Sequence, residues 1–242
     1  MIKVYAHRGY SGLYPENTML AFSKALEAGA DGIENDVHLS KDGEVMIMHD
    51  ESLARTAGLN EYIFNMTRSE LEKISAGKTM NDRFGFTPVP SLEEYLCFMK
   101  DHRDKVTNIE LKTAPVYYPG LEEKVMNLVS RYSLENNVIY SSFNWLSVMK
   151  MKRIDPSCRA GLLFSGMKLY NQASIMRQLD IDFFHPDFHD IDEAFVKGMH
   201  AEERGVNVWT VNEMEDIERV AALCADGIIT NFPEKVLSFL GR

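Results

Sequence analysis

The amino-acid sequence predicts an α/β protein of the TIM (β/α)8 barrel class with a small insertion after the second strand. Three observations carry that expectation. Short apolar runs alternate with helical patterns along the chain, as in βα repetition around a parallel sheet. Eight such runs are present, near 2–7, 31–37, 106–111, 137–141, 160–164, 181–185, 206–211 and 226–230. The length of 242 residues matches the ~250 residues of a typical closed barrel. With no linker, internal repeat or low-complexity tract, residues 1–242 read as a single domain.

The first strand ends in His7-Arg8-Gly9, and a loop leads to Pro15-Glu16-Asn17-Thr18 and the first helix. Active sites of parallel barrels lie at the C-terminal strand ends, so polar residues there are candidates for chemistry. The second strand begins Asp31-Gly32-Ile33 after a helix, as an internal strand does, yet carries Glu34 and Asp36. A spacing of two points both carboxylates to one face. A solvated outer face would be the bland explanation; buried acids instead require a partner, and a hard divalent cation takes oxygen ligands.

Asp42-Gly43 predicts a two-residue hairpin turn, with Lys41 facing Glu44 and His49 opposite Asp36. Residues 51–90 break the repeat and form the insertion, lying over one barrel mouth. Within it, Thr67-Arg-Ser-Glu70 before Leu71 is a capping box for a short helix. Ser91 with Glu94 and Asn212 with Glu215 read as further helix caps, and Pro233 opens the last helix.

On the third strand Glu110 and Lys112 share a face, either as a structural salt bridge or as part of the site. His185-Pro186 and Trp209-Thr210 occupy later strand ends, where packing and substrate contact compete.

An apolar content of 45% and a charged content of 26% are ordinary for a globular protein. The start of the chain does not read as a signal peptide, and no apolar run approaches the ~18 residues of a membrane-spanning helix. Cys97, Cys158 and Cys224 are scattered and odd in number, which disfavours a disulfide framework and predicts buried small hydrophobes in a reducing compartment. The expected location is cytoplasmic. A net charge of −10 disfavours nucleic acid as a partner and asks for a locally positive site if the substrate is a small anion. Arg8 and Lys112 could supply it.

His7-Arg8-Gly9, Glu16-Asn17, Gly32-Ile-Glu34-Asn-Asp36-Val37, Lys41-Asp-Gly43, His49-Asp50, Ile109-Glu110-Leu-Lys112, Ser142-Phe143-Asn144, His185-Pro186, Trp209-Thr-Val-Asn212 and Asp226-Gly-Ile-Ile-Thr230 occur in that order. Together they resemble the successive motifs of the glycerophosphodiester phosphodiesterase family. The resemblance implies a metal-dependent hydrolase splitting glycerophosphodiesters into glycerol 3-phosphate and an alcohol, with one divalent ion, Mg²⁺ or Ca²⁺. It also implies Glu34, Asp36 and Glu110 as metal ligands and His7 and His49 as general acid and base. Arg8 and Lys112 would hold phosphate, and Glu16 and Asn17 would support the site. From their strand-end positions, His185 and Trp209 are expected to contact substrate.

The chain departs from the family at Asn231, where Asp is usual, with an expected change in hydrogen bonding or local charge rather than loss of activity. His7 is the favoured base and His49 the favoured acid; water and the glycerol 2-hydroxyl both remain as the first nucleophile. Two other readings compete: a diesterase acting on intact phospholipids, and a non-catalytic phosphoester-binding barrel.

Overall fold

The computed structural model describes residues 1–80, 82–166 and 171–242. Eight parallel strands close on themselves: β1 (Lys3–His7), β2 (Gly32–Leu39), β4 (Val106–Leu111), β5 (Val138–Ser142), β6 (Arg159–Phe164), β7 (Phe183–Pro186), β8 (Gly205–Val208) and β9 (Gly227–Thr230). β1 pairs with both β2 and β9, which shuts the barrel. β3 (Val45–Ile47) lies outside the ring, antiparallel to β2.

Helices α1 (Met19–Glu27), α4 (Leu92–Met99), α5 (Leu121–Arg131), α6 (Trp145–Ile154), α7 (Gln172–Gln178), α8 (Glu193–Ala201), α9 (Met214–Ala222) and α10 (Pro233–Phe239) form the outer layer. The insertion contributes the short α2 (Ala54–Ala57) and α3 (Arg68–Leu71).

Alternation along each strand sends one set of side chains to the helices and the other into the barrel. Ile33, Val37, Ile109 and Leu111 pack outward with Phe22, Tyr95 and Val125 in one half of the ring, while Val4, Ala160, Phe184 and Ile228 pack with Met199, Ile217 and Val236 in the other. The inward set includes rings that need space. Tyr5 lies between Gly32 and Gly227, and His185 lies against Gly161, where an added Cβ would stand 2.6 Å from its Nε2. A third apolar cluster of Met46, Leu53, Ile63, Leu71 and Val89 gives the insertion its own small core.

Helix boundaries follow the capping chemistry with one exception. Ser91 accepts from Glu94 N, the Thr67–Glu70 capping box forms at α3, and Pro233 stands in the first turn of α10. Asn212, expected as a cap, is not one: Glu213 precedes α9, and the Asn212 side chain instead accepts from Asn231 N at 2.9 Å, tying the loop after β8 to the end of β9. The cysteines also depart from expectation. All three are free, but only Cys158 is buried; Cys97 lies opposite the buried Leu92, Tyr95, Leu96 and Met99 face of α4, and Cys224 follows α9 on the surface.

The hairpin differs by one residue. Gly43 takes a φ of 78° while Asp42 does not, giving the three-residue loop Lys41–Gly43 and pairing Leu39 with Val45 and Val37 with Ile47. Asp42 spends its carboxylate on the Ser40 hydroxyl and the Arg68 N–H, which closes this longer loop. Met48, not His49, therefore stands opposite Asp36, its N–H donating to the Asp36 carbonyl at 3.0 Å. A one-residue shift would turn His49 away from the site if the strand continued. It does not continue: β3 ends at Ile47, and the chain bends across the barrel mouth.

Candidate active site

The C-terminal ends of β1, β2 and β4 hold the polar cluster. Register places His7 beside Glu34 and Asp36 beside Glu110 on adjacent strands, so period-two alternation converges these side chains. Carboxylate oxygens of Glu34, Asp36 and Glu110, all buried, lie within 4.8 Å of one another. Burial and then mutual repulsion push Glu34 well above the usual carboxylate range. Burial also pushes Glu110 up against the pull of Lys112. Asp36 is buried too, but Lys112, Arg8 and an Asn17 hydrogen bond of 2.8 Å together hold it below its ordinary value.

Two cations stand among these acids. Lys112 Nζ donates to Glu110 Oε1 at 2.8 Å and lies 3.6 Å from Asp36 Oδ1. Arg8 Nε lies 3.5 Å from Asp36 Oδ2, its NH1 donates to Glu16 at 3.0 Å, and its backbone N–H donates to Glu34 at 2.9 Å. Arg8 and Asn17 both adopt positive φ, and at Gly9 a Cβ would meet Ala21 backbone at 2.7 Å. The turn after β1 is thus pressed against α1, which fixes Arg8 over the carboxylates.

Each of the two candidate imidazoles has its Nδ1 engaged. His7 Nδ1 is 2.7 Å from Asn231 Oδ1, so its proton resides there and Nε2 carries the lone pair, 3.9 Å from Glu34. Burial, reinforced by Arg8, lowers the His7 pKa to about 4. His49 Nδ1 is 2.6 Å from Asp50 Oδ1, and its Nε2 faces Lys112 Nζ at 3.1 Å. The departure at Asn231 therefore keeps the hydrogen bond to His7 but removes the charge behind it.

His7, Arg8, Glu34, His49, Glu110 and Trp209 line one recess of about 70 Å³. The structure does not bring His185 to it. His185 is fully buried inside the barrel, packed on Gly161 and 3.1 Å from Asn207, and only its carbonyl is used above, by Trp209 Nε1 at 2.7 Å. Its strand-end position suggested substrate contact, but the ring lies among the inward-facing side chains beneath the recess. Glu16 and Asn17 stand behind Arg8 and Asp36.

The model of the glycerophosphoryl diester phosphodiesterase family matches residues 7–235. The chain belongs to that family. YqiK, an uncharacterized protein of Bacillus subtilis, is 38% identical, with 99% of each chain covered. A glycerophosphodiester phosphodiesterase of Caldanaerobacter subterraneus is 37% identical over 99% of this chain and 98% of its own. Among solved structures, an Oleispira antarctica phosphodiesterase in complex with the product sn-glycerol-3-phosphate superposes with a TM-score of 0.87 at 26% identity, covering 99% of this chain and 97% of that one. The family of this chain is one of phosphoric diester hydrolases, and the fold is that of its solved members.

In this member of the family, four side chains to which sequence reasoning assigned no role line or support the site. His38 continues the Glu34–Asp36 alternation; its Nε2 meets the His49 carbonyl at 3.1 Å and its Nδ1 meets the Tyr118 hydroxyl at 3.0 Å, anchoring the bend that carries His49. Asn108 precedes Glu110 by two and lines the recess, as does Phe143. Period two alone could have found His38 and Asn108. Arg55 had no such signal: from the insertion it donates to Asp50 at 2.6 Å and, through both terminal nitrogens, to Glu16 at 2.7 Å each.

The donor set fits a hard divalent cation. Three carboxylates converge, two are destabilised as anions by burial, and Asp36 Oδ1 is a buried acceptor with no hydrogen-bond partner among the described residues.

Proposed function

We propose that this chain hydrolyses glycerophosphodiesters to glycerol 3-phosphate and an alcohol, with His7 and His49 as the proton-transfer pair and one divalent ion, Mg²⁺ or Ca²⁺, held by Glu34, Asp36 and Glu110. The observation that carries this reading is that two imidazoles with opposite kinds of support share one recess with Glu34 and Glu110, whose carboxylates converge with that of Asp36. Such an ion would counter negative charge on the phosphate and acidify a nearby hydroxyl.

His7, backed by a neutral amide and desolvated, is a base with a free Nε2 lone pair. It takes the proton of the nucleophile, either water or the glycerol 2-hydroxyl. His49 is held at Nδ1 by the carboxylate of Asp50, which orients the ring with Nε2 turned to the recess, so it suits the acid that protonates the leaving alkoxide. Arg8 and Lys112 hold phosphate oxygens, as their placement beside the triad allows. Trp209, on the wall of the recess, packs against the glycerol moiety. The setting we infer is cytoplasmic recovery of glycerol phosphate; finding the native protein exported would remove that part.

The test is release of glycerol 3-phosphate from glycerophosphocholine and glycerophosphoethanolamine after chelation, and after return of Mg²⁺, Ca²⁺ or Mn²⁺. His7→Ala and His49→Ala should each lower kcat by ~10²–10⁴. Release that survives chelation, or persists undiminished in both variants, would refute the mechanism.

A further inference from the structure

The cleft has a second lobe. Beyond His49, Glu110 and Phe143, a cavity of about 330 Å³ opens between the start of the insertion and the loop after β4, bounded by Glu51, Lys112 and Pro115. His49, Glu110 and Phe143 belong to the walls of both spaces. A phosphodiester carries two alcohols on one phosphorus, and here the imidazole suited to protonating the leaving oxygen stands on the partition between two lobes.

We propose that this outer lobe receives the leaving alcohol and selects a cationic one, an amino or quaternary-ammonium alcohol, with Glu51 as the specificity-determining residue. The inference rests on the hydrolase reading above and adds the class of substrate.

The charges of the lobe support it. Glu110 is held by Lys112, and Asp50 by Arg55 and His49. Glu51, by contrast, has no ion pair or side-chain hydrogen bond among the described residues, although it lines the lobe. Lys112 and His49 are the basic residues on this wall, Lys112 paired with Glu110 and His49 with Asp50, so an anionic alcohol finds no unpaired cation there among the described residues.

Phe143 completes the picture. It is 40% exposed and packs edge-on with Trp209, ring centres 5.5 Å apart, so part of the ring stays open to ligand. An alkylammonium group between an unpaired carboxylate and an aromatic surface gains from both. A neutral polyol gains from neither.

The experiment compares kcat/KM for glycerophosphocholine with that for glycerophosphoglycerol, in the Mg²⁺- or Ca²⁺-loaded wild type, Glu51→Gln and Glu51→Lys, at low and high salt. The choline-to-glycerol ratio should fall ~3–10-fold in Glu51→Gln and further in Glu51→Lys, and salt should lower it in the wild type but not in Glu51→Gln. A ratio unchanged in both variants overturns the proposal. So does an equal fall for both substrates, which would place the shared glycerol phosphate half in this lobe. If the wild type releases product from neither substrate, the hydrolase reading fails and the proposal falls with it, an outcome visible before any variant is compared.

Discussion

Arg55 should be the most consequential residue of the insertion, although it touches neither the recess nor the carboxylate triad. It closes a chain of contacts from His49 through Asp50, Arg55 and Glu16 to Arg8, so that the support of one imidazole and of the Arg8 guanidinium is shared. Three charge-assisted hydrogen bonds of 2.6–2.7 Å are lost in Arg55→Ala.

Buried bonds of this kind are worth ~1.5–3 kcal/mol each and exposed ion pairs ~0.2–1 kcal/mol. With the side chain 47% exposed, ~0.5–1 kcal/mol each is the appropriate range, or ~1.5–3 kcal/mol for the group. Part of that stabilises the insertion and part positions the site. If 1–2 kcal/mol acts on the transition state, kcat/KM falls roughly 5–30-fold.

The assay is steady-state hydrolysis of glycerophosphocholine with thermal unfolding measured alongside. Arg55→Lys keeps the charge but not the planar fork, so it should fall between. In a double-mutant cycle with Glu16→Gln the two losses should be less than additive, because both remove the same pair. A folded Arg55→Ala enzyme with kcat/KM within about twofold of wild type would refute the positioning role assigned here.

Three further outcomes can be checked. A divalent ion bound at the triad should raise Tm: at a hundredfold excess over Kd the gain is ~2.7 kcal/mol, or roughly 5–10 °C for a chain of this size, and Asp36→Asn should abolish the shift; an equal shift in that variant would place the ion elsewhere. Gly161→Ala should cost ~1–3 kcal/mol, since the new Cβ meets the fully buried His185; chemical denaturation with an unchanged midpoint would contradict the packing described.

Burial pushes Asp31 up, but Arg242, the Val4 N–H and Lys3 outweigh it and hold its pKa below the ordinary value. A carboxylate with a depressed folded pKa contributes stability above its unfolded pKa and loses it as pH falls through the folded one. Asp31→Asn should therefore destabilise by about 1 kcal/mol near neutrality, with the difference closing below pH ~4; a gap that stays constant down to pH 2 would rule out the ion pair as its source.

Much of this protein can be read from local patterns. Strand positions, the Thr67 capping box and Ser91 cap, and the shared faces of Glu34 with Asp36 and of Glu110 with Lys112 depend on backbone periodicity and nearest-neighbour chemistry, which the sequence displays directly. Tertiary structure decided what depends on contacts between distant segments. His49 was expected at the site through a hairpin register that does not form; it arrives instead because β3 ends early and buried His38 ties the following bend to Tyr118, eighty residues away. His185 and Trp209 both stand at strand ends, yet one ring fills the barrel and the other lines the recess, as the space left by Gly161 and the side chains above it dictates. Asn212 could have capped a helix, but Asn231 N lay within reach. Local sequence determines which groups are available and which way alternation points them; only the closed barrel determines which of those groups meet, because its strands bring together residues that share no sequence neighbourhood.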